Sequence, residues 1–296
     1  MWIVALLALF AQISSDSLPM IEKLIAGGQH REALAALNRL PVSTQWHLLA
    51  SKAHDGLGDA KKAVGEAEAA LALDPRSEAA HIQLGQIFLS NNTPQAALDV
   101  FTEALSLHPG SFLLRAGRGL ALKDLNLYDE AERELRRCLD ARPGFPICFD
   151  GLATVLLNAK RFTDLDRASV AQESHNPRDF RAPYFAAAAS LALDGDVAAI
   201  ESLLARSIQR NPKFAASHAL LGRVQLQAGR IDSAMASLET AVRLRPNYAP
   251  ALLNLAQAYK KAGREADAAR AFEQLRQAND RERQAKPALI YHRGIK

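Results

Sequence analysis

Apolar residues recur along this chain at helical spacing in short runs, and the runs come in pairs. In His81-Ile82-Gln83-Leu84-Gly85-Gln86-Ile87-Phe88-Leu89 they fall every three or four residues, the spacing that lines one face of a helix. Ser90, Asn91, Asn92 and Thr93 interrupt the run with residues that favour turns. Pro94 comes next, suited to a first helical turn where its missing N–H leaves nothing unsatisfied. A second helix is predicted from Gln95 to Ser106, with Ala97, Leu98, Phe101, Ala104 and Leu105 on one face. His108-Pro109 closes it, because the residue before a proline avoids helical geometry.

The pair has a metre. Pro75, Pro109, Pro143, Pro177, Pro212 and Pro246 stand 34, 34, 34, 35 and 34 residues apart. Counting each proline as position 32 starts the repeats at Thr44, Glu78, Phe112, Pro146, Arg181 and Ala215, and one further 34-residue step gives Ala249. Position 8 is then Ser51, Gly85, Gly119, Ala153, Ala188, Gly222 and Ala256, all small. Position 20 is Ala in five of the seven, and position 24 carries Ala67, Phe101, Leu135, Ser169, Leu204, Leu238 and Phe272. A small residue at 8 lets a second helix cross closely, and the side chain at 24 fills the space between them. A repeat this short cannot close its own core, so it must stack on its neighbours, and the stack presents a long surface.

This pattern resembles the tetratricopeptide repeat, and Glu78–Ser111 matches it most densely, through Leu84, Gly85, Phe88, Ala97, Phe101, Ala104 and Pro109. The resemblance implies an all-α, right-handed solenoid of about eight antiparallel helix pairs. Its repeats would be 44–77, 78–111, 112–145, 146–180, 181–214, 215–248 and 249–285, with a degenerate one over 17–43 and a tail over 286–296. In the degenerate repeat, Pro19–Ile25 would be a short first helix. Ala33, Leu34 and Leu37 would lie on a second, after a Gly27-Gly28 turn. The repeat from Pro146 departs from the pattern, with Leu165, Ser169 and Gln172 where Ala, a large apolar residue and Ala are expected, and one extra residue follows near Asp179-Phe180. Drift in a tolerant array accounts for this. A soft joint is the sharper reading, because polar groups facing the stack cost stability unless partnered. It predicts faster amide exchange over Asp164–Glu173 than over Gln95–Leu107.

Residues 1–15 are a different kind of segment. Trp2 to Phe10 is unbroken apolar sequence, too short to cross a bilayer but of the length of a secretory signal core. Small residues at Ala11 and Ser15 offer cleavage points, although no Lys or Arg precedes the run. Export to a periplasmic or secreted location is the expectation. A cytoplasmic protein whose apolar helix covers the first repeat is the alternative. Ser17, before Pro19, reads as a helix cap.

The formal charge of +4 is concentrated at one end: from Lys260 onward ten Lys/Arg stand against five Asp/Glu, leaving 26 against 27 before it. That excess, around Arg270, Arg276, Arg281 and Arg283, suits a solvated last helix with cations near its C-terminus. A basic strip for an acidic partner is the other reading. Cys138 and Cys148 are the two cysteines. Cys138 falls at core position 27 and Cys148 begins the next repeat; adjacent helices could bring them near one another, but free thiols behaving as small hydrophobes are expected ahead of a disulfide. Asp129, Glu130, Glu132 and Glu134 beside Arg133, Arg136 and Arg137 read as surface ion pairs on an exposed helix. His81 and His218, both at position 4, read as packing residues. Neither cysteine nor histidine spacing suggests a metal site. No catalytic residues, cofactor or metal are expected, and the chain is read as a non-enzyme.

What the resemblance implies for a partner is a groove lined by positions 2, 5, 9, 12 and 13 of each first helix. Those positions supply Lys52, Ile82, Gln86, Leu89, Leu113, Leu120 and Lys123, then Thr154, Asn158, Phe185, Arg223, Leu226, Leu253 and Gln257. The set of Lys and Asn with which chaperone-binding members hold a terminal carboxylate is absent, since position 5 is Leu48, Ile82, Ala116 and Asp150. A mostly apolar trough suits a helix or extended segment of a partner protein. The reading is a non-catalytic scaffold in an extracytoplasmic or envelope complex. Its alternatives are a subunit that recruits substrate to a catalyst on another chain, and a pentatricopeptide-like RNA-binding solenoid. The near-neutral body argues against the last.

Overall fold

The computed structural model describes residues 17–284. Among them are sixteen helices and no strand. Helix α1 covers residues 17–26. Then come α2 (His30–Leu37), α3 (Thr44–Gly56), α4 (Ala60–Leu73), α5 (Glu78–Ser90), α6 (Pro94–Leu107), α7 (Phe112–Asp124) and α8 (Tyr128–Ala141). The series continues with α9 (Pro146–Asn158), α10 (Phe162–His175), α11 (Arg181–Ala192), α12 (Val197–Arg210), α13 (Ala215–Gln227), α14 (Ile231–Leu244), α15 (Ala249–Lys261) and α16 (Glu265–Gln284). The chain falls into two compact units that divide between Glu134 and Leu135, inside α8.

Close crossing explains the small residues. A Cβ on Gly85 would lie 2.3 Å from the ring of Phe101, and one on Gly222 would lie 2.5 Å from Cγ of Leu238. In both repeats the position-24 side chain occupies the space that position 8 leaves open. Where position 8 is Ser51, its hydroxyl donates to the Ala63 carbonyl at 2.7 Å, so even a polar residue fits once bonded. Gly117 was not singled out by the 34-residue count, yet its Cβ would also meet Phe101 at 2.3 Å. The ring is thus held between its own repeat and the next.

The degenerate first repeat forms as a short hairpin. Ile21, Ala33 and Leu37 are fully buried, the turn passes through Gly28 at φ 77°, and the indole N–H of Trp46 donates to the Leu37 carbonyl at 2.8 Å. Ser17, read as a helix cap, is the first described residue of α1. The apolar run over 1–15 and the tail over 286–296 lie outside the described residues.

Two expectations are corrected inside the stacks. Glu134 is not a surface group: it is 5% exposed and faces Arg115 at 3.4 Å and Arg118 at 3.9 Å from α7. Only pairs such as Glu130 with Arg133, at 3.7 Å, are of the exposed kind. The soft joint also loses its basis, because the polar residues of α10 have partners. Ser169 donates to the Leu165 carbonyl at 2.8 Å. Gln172 donates to the Gly144 carbonyl at 3.1 Å and to Asp179 at 2.8 Å. Buried Asp179, beside the extra residue, in turn accepts from the backbone N–H of Arg181 at 3.0 Å. Amide protection over α10 is therefore expected to match that of α6. Gln172→Ala, which leaves a buried carboxylate short of a donor, is expected to cost about 1–3 kcal/mol. Hydrogen exchange on wild type and variant tests both.

Cys138 and Cys148 form a disulfide, with Cα atoms 6.3 Å apart. This corrects the expectation of free thiols: the end of α8 and the start of α9 do bring the two side chains together, which repeat position alone left open. The bond ties two successive repeats together across ten residues of sequence.

Candidate functional site

Within each unit the first helices of neighbouring repeats touch: α3 with α5 and α5 with α7 in one, α9 with α11, α11 with α13 and α13 with α15 in the other. Among the described residues the second helices do not meet in the same way: α4 does not reach α6, and α10, α12, α14 and α16 do not reach one another. A stack whose first helices lie closer than its second helices bends toward the first. These helices therefore form the inner wall of each unit.

The sequence-derived groove residues divide on inspection. In the first unit Gln86 and Leu113 are exposed, while Lys52, Leu120 and Lys123 are half-buried. Lys123 pairs with Asp124 at 2.7 Å. Ile82 and Leu89 are partly buried against the core around Phe101 and offer only an edge. In the second unit Asn158, Arg223, Leu253 and Gln257 are exposed, whereas Thr154 bonds the Asp150 carbonyl of its own helix at 2.8 Å. Phe185 and Leu226 are corrections, at 6% and 5% exposure. Phe185 packs edge-on against Phe149 and Tyr184, and Leu226 belongs to the core around Leu238. Inner-helix positions nearest a neighbouring helix are used up by that contact, which repeat numbering alone does not show.

A feature missed in the sequence is the residue before each first helix. Ser43, Ser77 and Ser111 cap α3, α5 and α7 by accepting from Trp46, Ala80 and Leu114. Before α9, α11, α13 and α15 the same place holds Phe145, Phe180, Phe214 and Tyr248, with no side-chain cap. Ring contact replaces the cap. Phe180 and Phe214 have centroids 4.8 Å apart, and Tyr184 meets Phe214 at 5.2 Å. Arg181 lies over Phe180 at 4.5 Å and Arg245 over Tyr248 at 5.0 Å, as cation–π pairs do. Comparing that one position across the repeats would have shown the change from Ser to aromatic.

Burial raises the pKa of the Tyr184 hydroxyl, with Tyr248 and Asp150 adding to the effect. Burial raises that of Tyr248 as well, against the opposing pull of Arg245. Tyr259 is pushed up to about 12 by burial and by its bond to Glu239, to which it donates at 2.8 Å. All three therefore remain protonated donors across the physiological range. Among the described residues no group of three His, Cys, Asp or Glu could hold a metal ion, and no helix is long and apolar enough to cross a membrane. His81 is buried with Nδ1 2.9 Å from the Ser77 carbonyl. A cleft of about 510 Å³ opens between α8, α9 and α10, where Ala168 and Ala171 face Leu139 and Leu152.

Sequence profiles of the tetratricopeptide repeat match residues 48–112, 115–145, 191–243 and 225–289. The chain is a tetratricopeptide-repeat protein. A tetratricopeptide repeat protein from Parabacteroides merdae superimposes with a TM-score of 0.65 at 15% identity, covering 83% of this chain and 99% of that one. The Cut9–Hcn1 hetero-tetramer of APC/C gives 0.65 at 16% identity over 86% of this chain and 52% of that one. PilF of Pseudomonas aeruginosa gives 0.61 at 18% identity, covering 74% of this chain and 97% of that one. These likenesses are of fold. Among curated sequences, Protein FlbA of Caulobacter vibrioides is 25% identical over 198 residues, 67% of this chain. The chain spans about a quarter of FlbA's length, 27%. Tetratricopeptide-repeat scaffolds bind proteins or peptides and are generally non-catalytic, and the stacked helix pairs of this chain have that family's fold.

Proposed function

We propose that this tetratricopeptide-repeat protein is a non-catalytic scaffold that grips a segment of a partner protein along its inner helices, in an extracytoplasmic complex. The observation that carries the grip is apolar exposure on the inner wall: Leu113 is 39% and Leu253 41% exposed, on helices that bury Leu114, Leu122, Leu252 and Leu255. Exposed aliphatic side chains among polar neighbours are what an inserted helix or strand uses. The oxidising location draws support from the Cys138–Cys148 bond, since such bonds persist chiefly outside the reducing cytosol, and from the apolar run Trp2–Phe10.

Photo-crosslinking side chains placed singly at Leu113, Leu253 and Val170 test the grip. Val170 is 62% exposed on the second helix α10 and serves as the outer control. Partner adducts are expected at Leu113 or Leu253 and not at Val170. Adducts only at Val170 would overturn the inner-wall reading.

A further inference from the structure

The inner helices of the second unit carry a net positive charge. Helices α11, α13 and α15 contain no Asp or Glu, but they hold Arg181, Arg223, Lys260 and Lys261. The first unit is mixed: α3 carries Asp55 beside Lys52, α5 carries Glu78 and no Lys or Arg, and α7 carries Asp124 beside Arg115, Arg118 and Lys123. On α9 the carboxylate is Asp150, which lies 3.5 Å from Arg181, so that pair is internally compensated. Arg223, Lys260 and Lys261 are exposed, and none has a carboxylate partner among the described residues. Arg245, which caps the end of α14, is engaged by the Tyr248 ring and likewise has no carboxylate among the described residues. The basic excess of α16 behaves differently. Arg264 and Arg270 share Asp267, and Arg276 pairs with Glu273.

From this contrast we infer that the second unit's inner wall recognises an acidic segment of a partner protein that also bears an aliphatic side chain. Leu253, Gln257 and Lys260 stand at i, i+4 and i+7 on α15 and so share one face. The exposed leucine is the apolar anchor, with Lys260 along the same face and Arg223 on the neighbouring helix as charge partners. Desolvated aliphatic contact sets affinity, and cations at the rim set encounter rate and preference. Tyr248, just before α15, carries Arg245 over its ring, and both are residue types enriched at binding hot spots. The inference rests on the inner-wall reading above and adds the chemistry of what is held.

The test uses the full disulfide-bonded chain and a fluorescent synthetic peptide with leucines spaced among glutamates. Its controls are the same peptide with glutamine for glutamate and a single-stranded oligonucleotide. The acidic peptide is expected to bind, with affinity falling as salt rises, and Arg223→Glu/Lys260→Glu is expected to weaken it about tenfold or more. Leu253→Ser is expected to weaken both peptides. Circular dichroism confirms that the variants keep their helices. Equal binding of the glutamine peptide, with loss only in Leu253→Ser, would overturn the acidic preference and leave the inner wall standing. Binding of the acidic peptide that neither variant disturbs would overturn this site. Tighter binding of the oligonucleotide than of the acidic peptide would replace the protein partner with a nucleic acid.

Discussion

Phe101→Ala is expected to destabilise the first unit by about 3–5 kcal/mol, the range for emptying a buried aromatic site. The ring is 1% exposed and lies against Gly85 of its own repeat and Gly117 of the next, each so close that a Cβ would fall 2.3 Å from its tip. Two repeats therefore lose packing at once, and neither can collapse into the void without shifting the other. The glycines supply an internal check. Gly117→Ala should be destabilising in the wild-type background, since the methyl and the ring cannot both keep their places. In the Phe101→Ala background the same methyl has room. The double-mutant cycle should give a coupling of about 1–3 kcal/mol. Chemical denaturation followed by circular dichroism measures it, and additive losses would mean that the ring and Gly117 are not in contact.

Reduction of the Cys138–Cys148 bond is expected to lower stability by about 3 kcal/mol, the loop-closure value for so short a loop. In a stacked array the loss should be local, spreading mainly to the nearest neighbours. Faster amide exchange is therefore expected at the end of α8 and the start of α9, with α14 and α15 little changed. Thermal unfolding with and without reductant gives the size. A Cys138→Ser/Cys148→Ser variant, in which reductant should have no effect, separates the bond from reductant side effects. Alkylation of native protein before reduction also tests the proposed oxidising location. Two freely alkylated thiols in protein taken from its own cell would contradict that location, whatever the purified protein does on air oxidation.

Much of the fold could be read from spacing because repetition amplifies a weak local signal. One proline ends one helix. Six at nearly constant intervals set the phase of the array, and α3, α5, α7, α9, α11, α13 and α15 begin at the residues that phase gives. Position 8 and position 24 were legible for the same reason, and Gly85 with Phe101 shows why. The candidate wall was less legible. Gln86, Leu113, Arg223, Leu253 and Gln257 are exposed, but Phe185 and Leu226 are buried, since whether an inner-helix side chain reaches solvent depends on how near the next helix lies.

The sequence by itself determined which segments are helical, where they break and that they must stack in series, because those properties follow from hydrophobic period, turn residues and small residues at fixed intervals. Only the tertiary structure decided that Gly117 backs onto Phe101, that Glu134 is enclosed by Arg115 and Arg118, that Gln172 and Asp179 satisfy each other, and that two cysteines ten residues apart bond. Each of these joins groups from different elements of the chain. Their meeting depends on crossing angles and axial distances of a few ångströms, which the order of residues along one chain does not encode locally.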